Sequence, residues 1–210
     1  MRAKPKAQPV VVLGVTGSIA AYKAVDICSQ LVKAGCAVRV VLTADAQKFI
    51  TPLPFKTLSR HAVVTDLYDE DEGWQPTHIR LADEADLLLI APATANTIAE
   101  LAHGLAGHPL TEIALATHAP LLIAPAMNGK MWEHPATQRN IETLSNDSIE
   151  ILGPTSGSQA CGENGMGRML EAAEILEGVI AFFQTKSLLG KTVLITAGPT
   201  FEAIDPVRGI

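Results

Sequence analysis

The chain has few aromatic residues, few cysteines and little charge. Aromatic residues make up 4% of its 210 residues, and there are three cysteines, Cys28, Cys36 and Cys161. Their uneven spacing forms neither a disulfide framework nor a metal-ligand pattern. The sequence therefore predicts no disulfide scaffold and no metal site, and it favours a cytoplasmic protein with reduced thiols.

An excess of basic charge is also absent. Lysine and arginine number 16 against 22 acidic residues, which gives a formal net charge of −6. This balance offers no electrostatic footprint for nucleic acid. The longest apolar stretches, 87–95 and 119–127, fall short of the roughly 18–20 residues that cross a bilayer, and residues 1–9 lack the pattern of a signal peptide. The 48% hydrophobic content weakly favours an oligomer with buried interfaces.

What the sequence does contain is a regular alternation of short apolar runs and amphipathic stretches. Apolar residues in direct succession are typical of parallel strands that are covered on both faces. The predicted strands cover 10–14, 37–43, 63–66, 87–91, 121–125, 149–152 and 193–197, and the predicted helices cover 18–34, 96–106, 134–145 and 170–183. This order predicts an α/β protein with a doubly wound parallel sheet, in a Rossmann-like or flavodoxin-like fold of three layers.

The chain is predicted to hold one domain, a linker and the start of a second domain. Residues 1–183 are long enough to bury a full core, and 184–190 have the composition of a linker. Residues 191–210 begin a new strand and a glycine turn without the helix and sheet partners that would cover them. We expect this tail to be the truncated start of a second domain, poorly ordered unless it docks on a neighbour.

The first strand ends in a turn that suits a phosphate. Gly17, Ser18 and Ile19 follow the strand and lead into a helix, so that backbone N–H groups and the positive helix end lie together. Thr43 ends the second strand, where a dinucleotide enzyme often carries an acidic residue. The pattern favours a mononucleotide phosphate over NAD. The alternative is a tight turn that only packs a helix on a sheet.

Two further loops follow neighbouring strands of the predicted sheet. Thr94, Ala95, Asn96 and Thr97 combine small residues, which let a flat ring approach the backbone, with hydrogen-bonding groups. Asn128 follows the next strand. Because the carboxyl ends of parallel strands face the ligand crevice, both loops are binding candidates. The alternatives are a helix N-cap at Asn96 and an Asx turn at Asn128.

The most informative stretch is GSQACGENGMGRM, at 157–169. Its glycines predict a mobile loop without helix or strand, and the loop carries Cys161 among polar neighbours, whereas a structural cysteine normally lies in an apolar element. Arg168 could lower the pKa of this thiol or bind a phosphate of a substrate. His78 begins an amphipathic helix and is a weaker candidate, because a lone histidine is more often a cap or a surface residue.

Four motifs, in order, resemble the flavin-containing cysteine decarboxylase family: GSIAAYK at 17–23, APATANT at 91–97, PAMN at 125–128 and ACGENGMGRM at 160–169. Within that family the resemblance is to the phosphopantothenoylcysteine decarboxylases, and it covers residues 9–183. The tail, TAGPTFEAIDPVR at 196–208, is similar to the start of the phosphopantothenate–cysteine ligase domain that is fused to some of them.

The resemblance implies FMN as the cofactor and decarboxylation of 4′-phosphopantothenoylcysteine to 4′-phosphopantetheine, a step of coenzyme A biosynthesis. The implied FMN-binding positions are Gly17, Ser18, Ile19 and Thr43 for the phosphate, and Thr94, Ala95, Asn96, Thr97 and Ala126 for the isoalloxazine. The implied catalytic positions are His78, Asn128 and Cys161, and the substrate-binding positions are Asn128, Ala160, Cys161, Gly162, Arg168 and Met169. The family also implies a homotrimer, or a dodecamer of trimers, with FMN at the subunit interface.

The implied chemistry is an oxidation that makes decarboxylation possible. Loss of CO2 from an N-acyl cysteine would leave a carbanion without an electron sink. Hydride transfer to the flavin gives a thioaldehyde, CO2 loss then gives an ene-thiolate, and re-reduction yields the product. Cys161 is the expected final proton donor, His78 is expected to orient or deprotonate the substrate thiol, and Asn128 is expected to hold the departing carboxylate.

Two places depart from the family pattern. Glu100 stands where a basic residue is common, and AGHPL at 106–110 replaces an Asp/Asn pair; we expect both to bear on contacts between subunits more than on the chemistry. The alternatives are a phosphatase-inhibitor-like regulatory protein, which would normally carry long acidic extensions, and a flavin prenyltransferase, against which the cysteine loop and PAMN argue. An NAD(P) dehydrogenase is disfavoured by the lack of an obvious Tyr-x-x-x-Lys pair.

Overall fold

The computed structural model describes residues 8–66, 75–158, 162, 164–184 and 190–196. The strands of this part of the chain are β1 (Val10–Val15), β2 (Ala37–Leu42), β3 (Val63–Val64), β4 (Leu87–Ala93), β5 (Leu121–Pro125), β6 (Glu150–Ile151), β7 (Thr155–Ser158) and β8 (Asn164–Arg168). The helices are α1 (Ala21–Lys33), α2 (Pro52–Ser59), α3 (Thr77–Glu84), α4 (Ala95–Ala102), α5 (Pro109–Ala116), α6 (Gly129–Glu133), α7 (Pro135–Asn146) and α8 (Ala172–Phe183).

The central sheet is parallel and has the order β3-β2-β1-β4-β5-β6. The chain starts in the middle, builds outward to β3, and then crosses back to build the other half. The direction of winding reverses between β1 and β4, and this switch point is where open α/β sheets bind their ligands. The predicted doubly wound, three-layer fold is confirmed.

Each face of the sheet has its own apolar core because side chains alternate along the strands. Val11, Leu13 and Val15 of β1 pack with α1, α2 and α8 on one face. Val12 of β1 packs on the other face, with α3, α4, α5 and α7. Since both faces are covered, almost every residue of β1 and β4 is apolar and buried. This explains the uninterrupted apolar runs of the sequence.

Two of the three cysteines are part of this core. Cys28 lies on the buried face of α1, and Cys36 precedes β2. Burial raises the pKa of the Cys28 thiol to about 11 and raises that of Cys36 as well. In both residues, burial therefore favours the protonated thiol over the reactive thiolate.

The predicted strands of the central sheet are confirmed, with shifts of one to a few residues at their ends, and so are the four predicted helices. The sequence analysis missed α2, α5 and α6. These helices have five to eight residues, which is too short for a 3.6-residue pattern to stand out. Proline at the first position of α2 and α5 obscured them further, although proline is well suited to that position.

The prediction that 157–169 contains no strand is wrong. β7 and β8 pair antiparallel, with Ser156 opposite Met166 and Gly157 opposite Gly165. Such a ladder uses only backbone groups, so glycine lowers the propensity for it without preventing it. The prediction of a strand at 193–197 is also wrong for residues 193–196, where Val193, Leu194 and Ile195 are more than half exposed; residue 197 lies outside the described residues.

Among the described residues, no helix is both long enough and apolar enough to cross a membrane.

Candidate active site at the switch point of the sheet

Thr16 ties together the two strand ends that flank the switch point. It follows β1 and is 1% exposed. Its hydroxyl donates to the carbonyl of Pro92 in β4 at 2.8 Å and accepts from the backbone N–H of Thr94 at 3.1 Å. The position of the loop after β4 is therefore fixed by a side chain that follows β1.

The turn after Thr16 leaves backbone donors open at the start of a helix. The N–H of Ser18 bonds back to Thr16, and the Ser18 hydroxyl accepts from Ala20. Within the described part of the chain, the N–H groups of Gly17 and Ile19 have no hydrogen-bond partner. Two open N–H groups at the N-terminus of a thirteen-residue helix fit an anion such as a phosphate.

Gly17 and Thr43 bring a second strand end to this turn. A Cβ on Gly17 would lie 2.4 Å from the Cβ of Asp45, so the turn after β2 packs directly on the turn after β1. Thr43 is buried; its N–H donates to Val15 and its hydroxyl accepts from Ala46. Among the described residues, the hydroxyl proton of Thr43 has no acceptor.

The loop after β4 is held by its own threonines. The Thr94 hydroxyl caps α4 by accepting from the Thr97 N–H at 3.3 Å, and it lies 3.2 Å from the Thr97 hydroxyl. The cap of α4 is thus Thr94, and the alternative that Asn96 is the cap is wrong. Asn96 is exposed, and its amide nitrogen donates to Glu100 at 2.9 Å.

The end of β5 lies beside this loop and carries the hairpin. Ala126 donates its N–H to Ala93, and Met127 donates its N–H to Gly167 of β8. Asn128 caps α6 through its side-chain oxygen, which accepts from Lys130 at 2.9 Å. The Asx turn weighed for Asn128 therefore exists, and it fixes the side chain at the start of α6.

His78 is placed by a different pair of helices. It lies in the first turn of α3, where its Nδ1 is 3.5 Å from a carboxylate oxygen of Glu112 in α5. Both side chains are about a quarter exposed. The group that pairs with His78 therefore belongs to α5, and none of the other predicted site residues that the structure describes is its partner.

The base of the hairpin is fastened to α1 by charged groups. The Lys23 ammonium is buried; it donates to the carbonyl of Met169 at 3.2 Å and to Glu171 at 2.8 Å. Arg168 donates to the same oxygen of Glu171 at 2.6 Å. Lys23 and, to a lesser degree, Arg168 lower the pKa of Glu171. The Arg168 side chain also lies over Gly157 of the neighbouring strand β7. A Cβ on Gly157 would come within 3.1 Å of that side chain.

Two predicted site residues, Ala160 and Cys161, lie outside the described residues. Gly162 is exposed, with a φ of 82°, and Met169 is buried. In the part of the chain that the structure describes, no group of His, Cys, Asp and Glu side chains could hold a metal ion.

Sequence reasoning missed Thr16, Lys23 and Glu112. Lys23 could have been found, because it lies on the same face of α1 as Ile27, four residues later, where a charged residue needs a partner. Thr16 and Glu112 act across contacts between elements that are distant in the sequence, and the sequence offers no local signal for them.

The strand order defines an α/β protein of the Rossmann type. Its switch point is flanked by a turn with open backbone N–H groups and by two loops of small residues. The chain belongs to the Flavoprotein family, whose model matches residues 2–184. The model of the DNA/pantothenate metabolism flavoprotein C-terminal domain matches residues 188–210.

Curated relatives match almost the whole of this chain, and close to half of the aligned residues are identical. The coenzyme A biosynthesis bifunctional protein CoaBC of Vibrio vulnificus (strain YJ016) is 49% identical over 200 residues, which is 95% of this chain and 50% of that protein. CoaBC of Bacillus subtilis (strain 168) is 48% identical over 201 residues, or 94% of this chain and 50% of that protein. The chain thus spans about half the length of the curated relatives it matches.

Solved structures of similar fold include flavin-dependent enzymes. A cysteine-to-serine variant of PPC decarboxylase, complexed with pantothenoylaminoethenethiol, is 33% identical with a TM-score of 0.76, covering 85% of this chain and all of that chain. The FMN-binding protein AtHal3 is 34% identical with a TM-score of 0.74, covering 84% of this chain and 97% of that chain. The FMN-dependent cysteine decarboxylase SpaF is 34% identical with a TM-score of 0.73, covering 84% and 98%.

Proposed function

We propose that this chain is an FMN-dependent decarboxylase that converts 4′-phosphopantothenoylcysteine to 4′-phosphopantetheine in coenzyme A biosynthesis. The observation that carries the proposal is the similarity to PPC decarboxylase over the whole length of that enzyme. The molecule bound there is an ene-thiol, which is what remains when an oxidised acyl cysteine loses CO2. The CoaBC relatives support the same substrate.

The residues at the switch point fit FMN. The open N–H groups of Gly17 and Ile19, with the hydroxyls of Ser18 and Thr43, would hold the phosphate. Thr94, Ala95, Asn96, Thr97 and Ala126 would contact the isoalloxazine. When bound, the flavin supplies a hydride acceptor and donor, so that a decarboxylation can pass through an oxidised substrate without net redox change.

Asn128 would hold the carboxylate that leaves as CO2. Its cap on α6 fixes the side chain, while its amide is neutral. A neutral amide suits this role because a cation would stabilise the charged ground state more than a transition state in which that charge disperses.

We therefore expect the Asn128→Arg variant to bind substrate at least as tightly as the wild type but to turn over at least about tenfold more slowly. Steady-state kinetics that separate KM from kcat measure both effects. Asn146→Arg, at an exposed position at the end of α7, is the matched control and should leave both constants unchanged. Near-normal turnover by the Asn128 variant would contradict this role.

Cys161 and His78 are the proposed proton-transfer groups. Cys161 would give the final proton to the reduced product from a segment between β7 and β8, and His78 would orient or deprotonate the substrate thiol. The substrate would also contact Ala160 and Gly162 of the same segment. At the end of β8 it would contact Arg168 and the following residue, Met169.

We expect Cys161→Ser to release CO2 in a single turnover but to leave the product at the ene-thiol stage. Rapid-quench sampling with mass spectrometry of both products distinguishes the steps. Cys28→Ser, in the core, is a control for the thiol itself and should reduce stability without separating CO2 release from reduction. Loss of CO2 release in the Cys161 variant would assign this cysteine to an earlier step.

The proposed assembly is a homotrimer, or a dodecamer built from trimers, in which FMN lies at a subunit interface. Residues 1–183 would form the decarboxylase domain, 184–190 a linker, and 191–210 the first part of a ligase domain that is fused to it in the CoaBC relatives. A cytoplasmic location is part of the proposal and agrees with the free, buried thiols of Cys28 and Cys36.

The test is anaerobic incubation of the FMN-loaded protein with 4′-phosphopantothenoylcysteine, followed by mass spectrometry. Formation of 4′-phosphopantetheine and CO2 in equal amounts is the expected result. A protein that binds FMN and substrate without forming product would contradict the proposed activity and favour a regulatory flavoprotein.

A further inference from the structure

Glu100 connects two parts of the molecule through its two carboxylate oxygens. One oxygen accepts from the amide nitrogen of Asn96 at 2.9 Å, and the other lies 3.1 Å from Nε2 of His108. The two positions at which the sequence departs from the family pattern, Glu100 and the stretch 106–110, are therefore in contact with each other. Glu100 and His108 are both only about one-fifth exposed.

The tautomer of His108 follows from its other contact. Its Nδ1 accepts from the Thr111 N–H at 3.4 Å and caps α5. A nitrogen that accepts carries no proton, so in the neutral ring Nε2 holds the proton and donates it to Glu100. The carboxylate is thus held in place from α5, a helix that neighbours α4.

The orientation of the Asn96 amide follows from the carboxylate. A carboxylate only accepts hydrogen bonds, so the nitrogen of the Asn96 amide must face Glu100. The oxygen of that amide is then left to accept from another donor. Asn96 lies in the first turn of α4, just after β4 at the switch point. The ring of an oxidised flavin offers one N–H donor, that of its imide.

We propose that Glu100, held by His108, is a positioning residue that turns the Asn96 amide so that its oxygen accepts from the imide N–H of the flavin. This inference rests on the proposed function, because it needs Asn96 to contact the isoalloxazine. An Asn–Glu pair four residues apart also stabilises a helix locally. A pair that only stabilised the helix would not need the second hydrogen bond, which joins His108 to Glu100.

A double-mutant cycle on flavin affinity tests the inference. FMN dissociation constants are measured by the quenching of flavin fluorescence for the wild type, Glu100→Met, Asn96→Ala and the double variant. Loss of one oriented hydrogen bond should weaken binding roughly three- to tenfold in each single variant. In the double variant the Glu100 change should add nothing further, since Glu100 acts through Asn96. Glu142→Met, at an exposed position on α7, is the matched control and should bind FMN normally.

Riboflavin, which lacks the phosphate, distinguishes effects on the ring from effects on the phosphate of FMN. The same fold-loss with riboflavin is expected, because the imide belongs to the ring; a loss seen only with FMN would overturn the inference. Additive effects in the cycle would overturn it as well, since they indicate a general effect of Glu100 on the fold.

The outcomes separate this inference from the proposed function. If the wild type binds FMN and the cycle is non-additive, the inference holds even when no decarboxylation occurs. If decarboxylation occurs and the cycle is additive, the proposed function holds and the positioning role is wrong. A wild type that binds no flavin would overturn both.

Discussion

Thr16 makes two hydrogen bonds through one oxygen, and both cross the switch point of the sheet. The groups that it satisfies are the carbonyl of Pro92 and the N–H of Thr94. Valine has the same shape as threonine but lacks the hydroxyl, so a valine at this position leaves one donor and one acceptor unsatisfied.

We therefore expect Thr16→Val to lower the free energy of unfolding by about 2–3 kcal/mol and to weaken FMN binding, because the Thr94 loop is released. Urea denaturation of the FMN-free protein measures the first effect. Thr57→Val is the control: Thr57 is exposed on α2 and donates only to Leu53, so its loss should change stability by less than about 0.5 kcal/mol. Equal effects of the two variants would contradict the role of Thr16.

The sequence could not predict which single polar residue caps a helix or forms a turn. The alternatives weighed for Asn96 and Asn128 were a helix cap and an Asx turn, and the structure gives the cap to Thr94 and the Asx turn to Asn128. Sequence placed both residues at strand ends correctly. It could not decide between neighbouring polar side chains, because each of them is able to cap a helix.

At the level of secondary-structure elements, two turns pack against each other. The turn after β1 meets the turn after β2 at Gly17, where a Cβ would overlap Asp45. This contact brings the open N–H groups of the first turn close to Thr43. Glycine is therefore required at position 17 by the packing of the two turns.

We expect Gly17→Ala to push the two turns apart, to lower the free energy of unfolding by about 1–3 kcal/mol, and to abolish retention of FMN during gel filtration. Absorbance of the protein peak at flavin and protein wavelengths measures retention. Gly107→Ala is the matched control, because a Cβ there meets no atom within 4 Å. If the Gly17→Ala variant kept FMN, the close packing of the two turns would not be needed for FMN binding.

Short elements were the ones that the sequence did not reveal. The helices α2, α5 and α6 were missed, and the hairpin of β7 and β8 was predicted to be a loop. Long periodic segments such as α1 were found because several turns of helix repeat the same pattern. A glycine-rich hairpin carries no such pattern, since its stability comes from backbone pairing and from the anchor that Lys23 and Glu171 provide.

At the scale of the whole molecule, several large apolar side chains of the described chain are exposed. Ile19 and Tyr22 at the start of α1, and Phe49 and Leu53 at the start of α2, are at least half exposed. These two helices are neighbours beside the proposed phosphate turn. Exposed apolar surface of this kind marks interaction sites in soluble proteins, which supports the proposed oligomer.

We expect light scattering coupled to gel filtration to give a mass of at least three times the 22.2 kDa of one chain. Because the proposal places FMN at a subunit interface, dissociation on dilution should release FMN at the same protein concentration. Flavin fluorescence and mass, recorded along one dilution series, test this link. A monomer that retains FMN would contradict the interface site.

The sequence by itself determined the parallel α/β architecture, the strand ends that carry polar loops, and membership of a flavoprotein family. It did so because alternation of buried strands and amphipathic helices is a local pattern, and because the motifs are contiguous. Only the tertiary structure decided which groups meet: the Thr16 hydroxyl with the backbone N–H of Thr94, Lys23 with Glu171, His78 with Glu112, and Glu100 with both Asn96 and His108. Except for Asn96 with Glu100, these pairs join different elements, and hydrogen bonds between elements depend on how the layers pack, which no local pattern records.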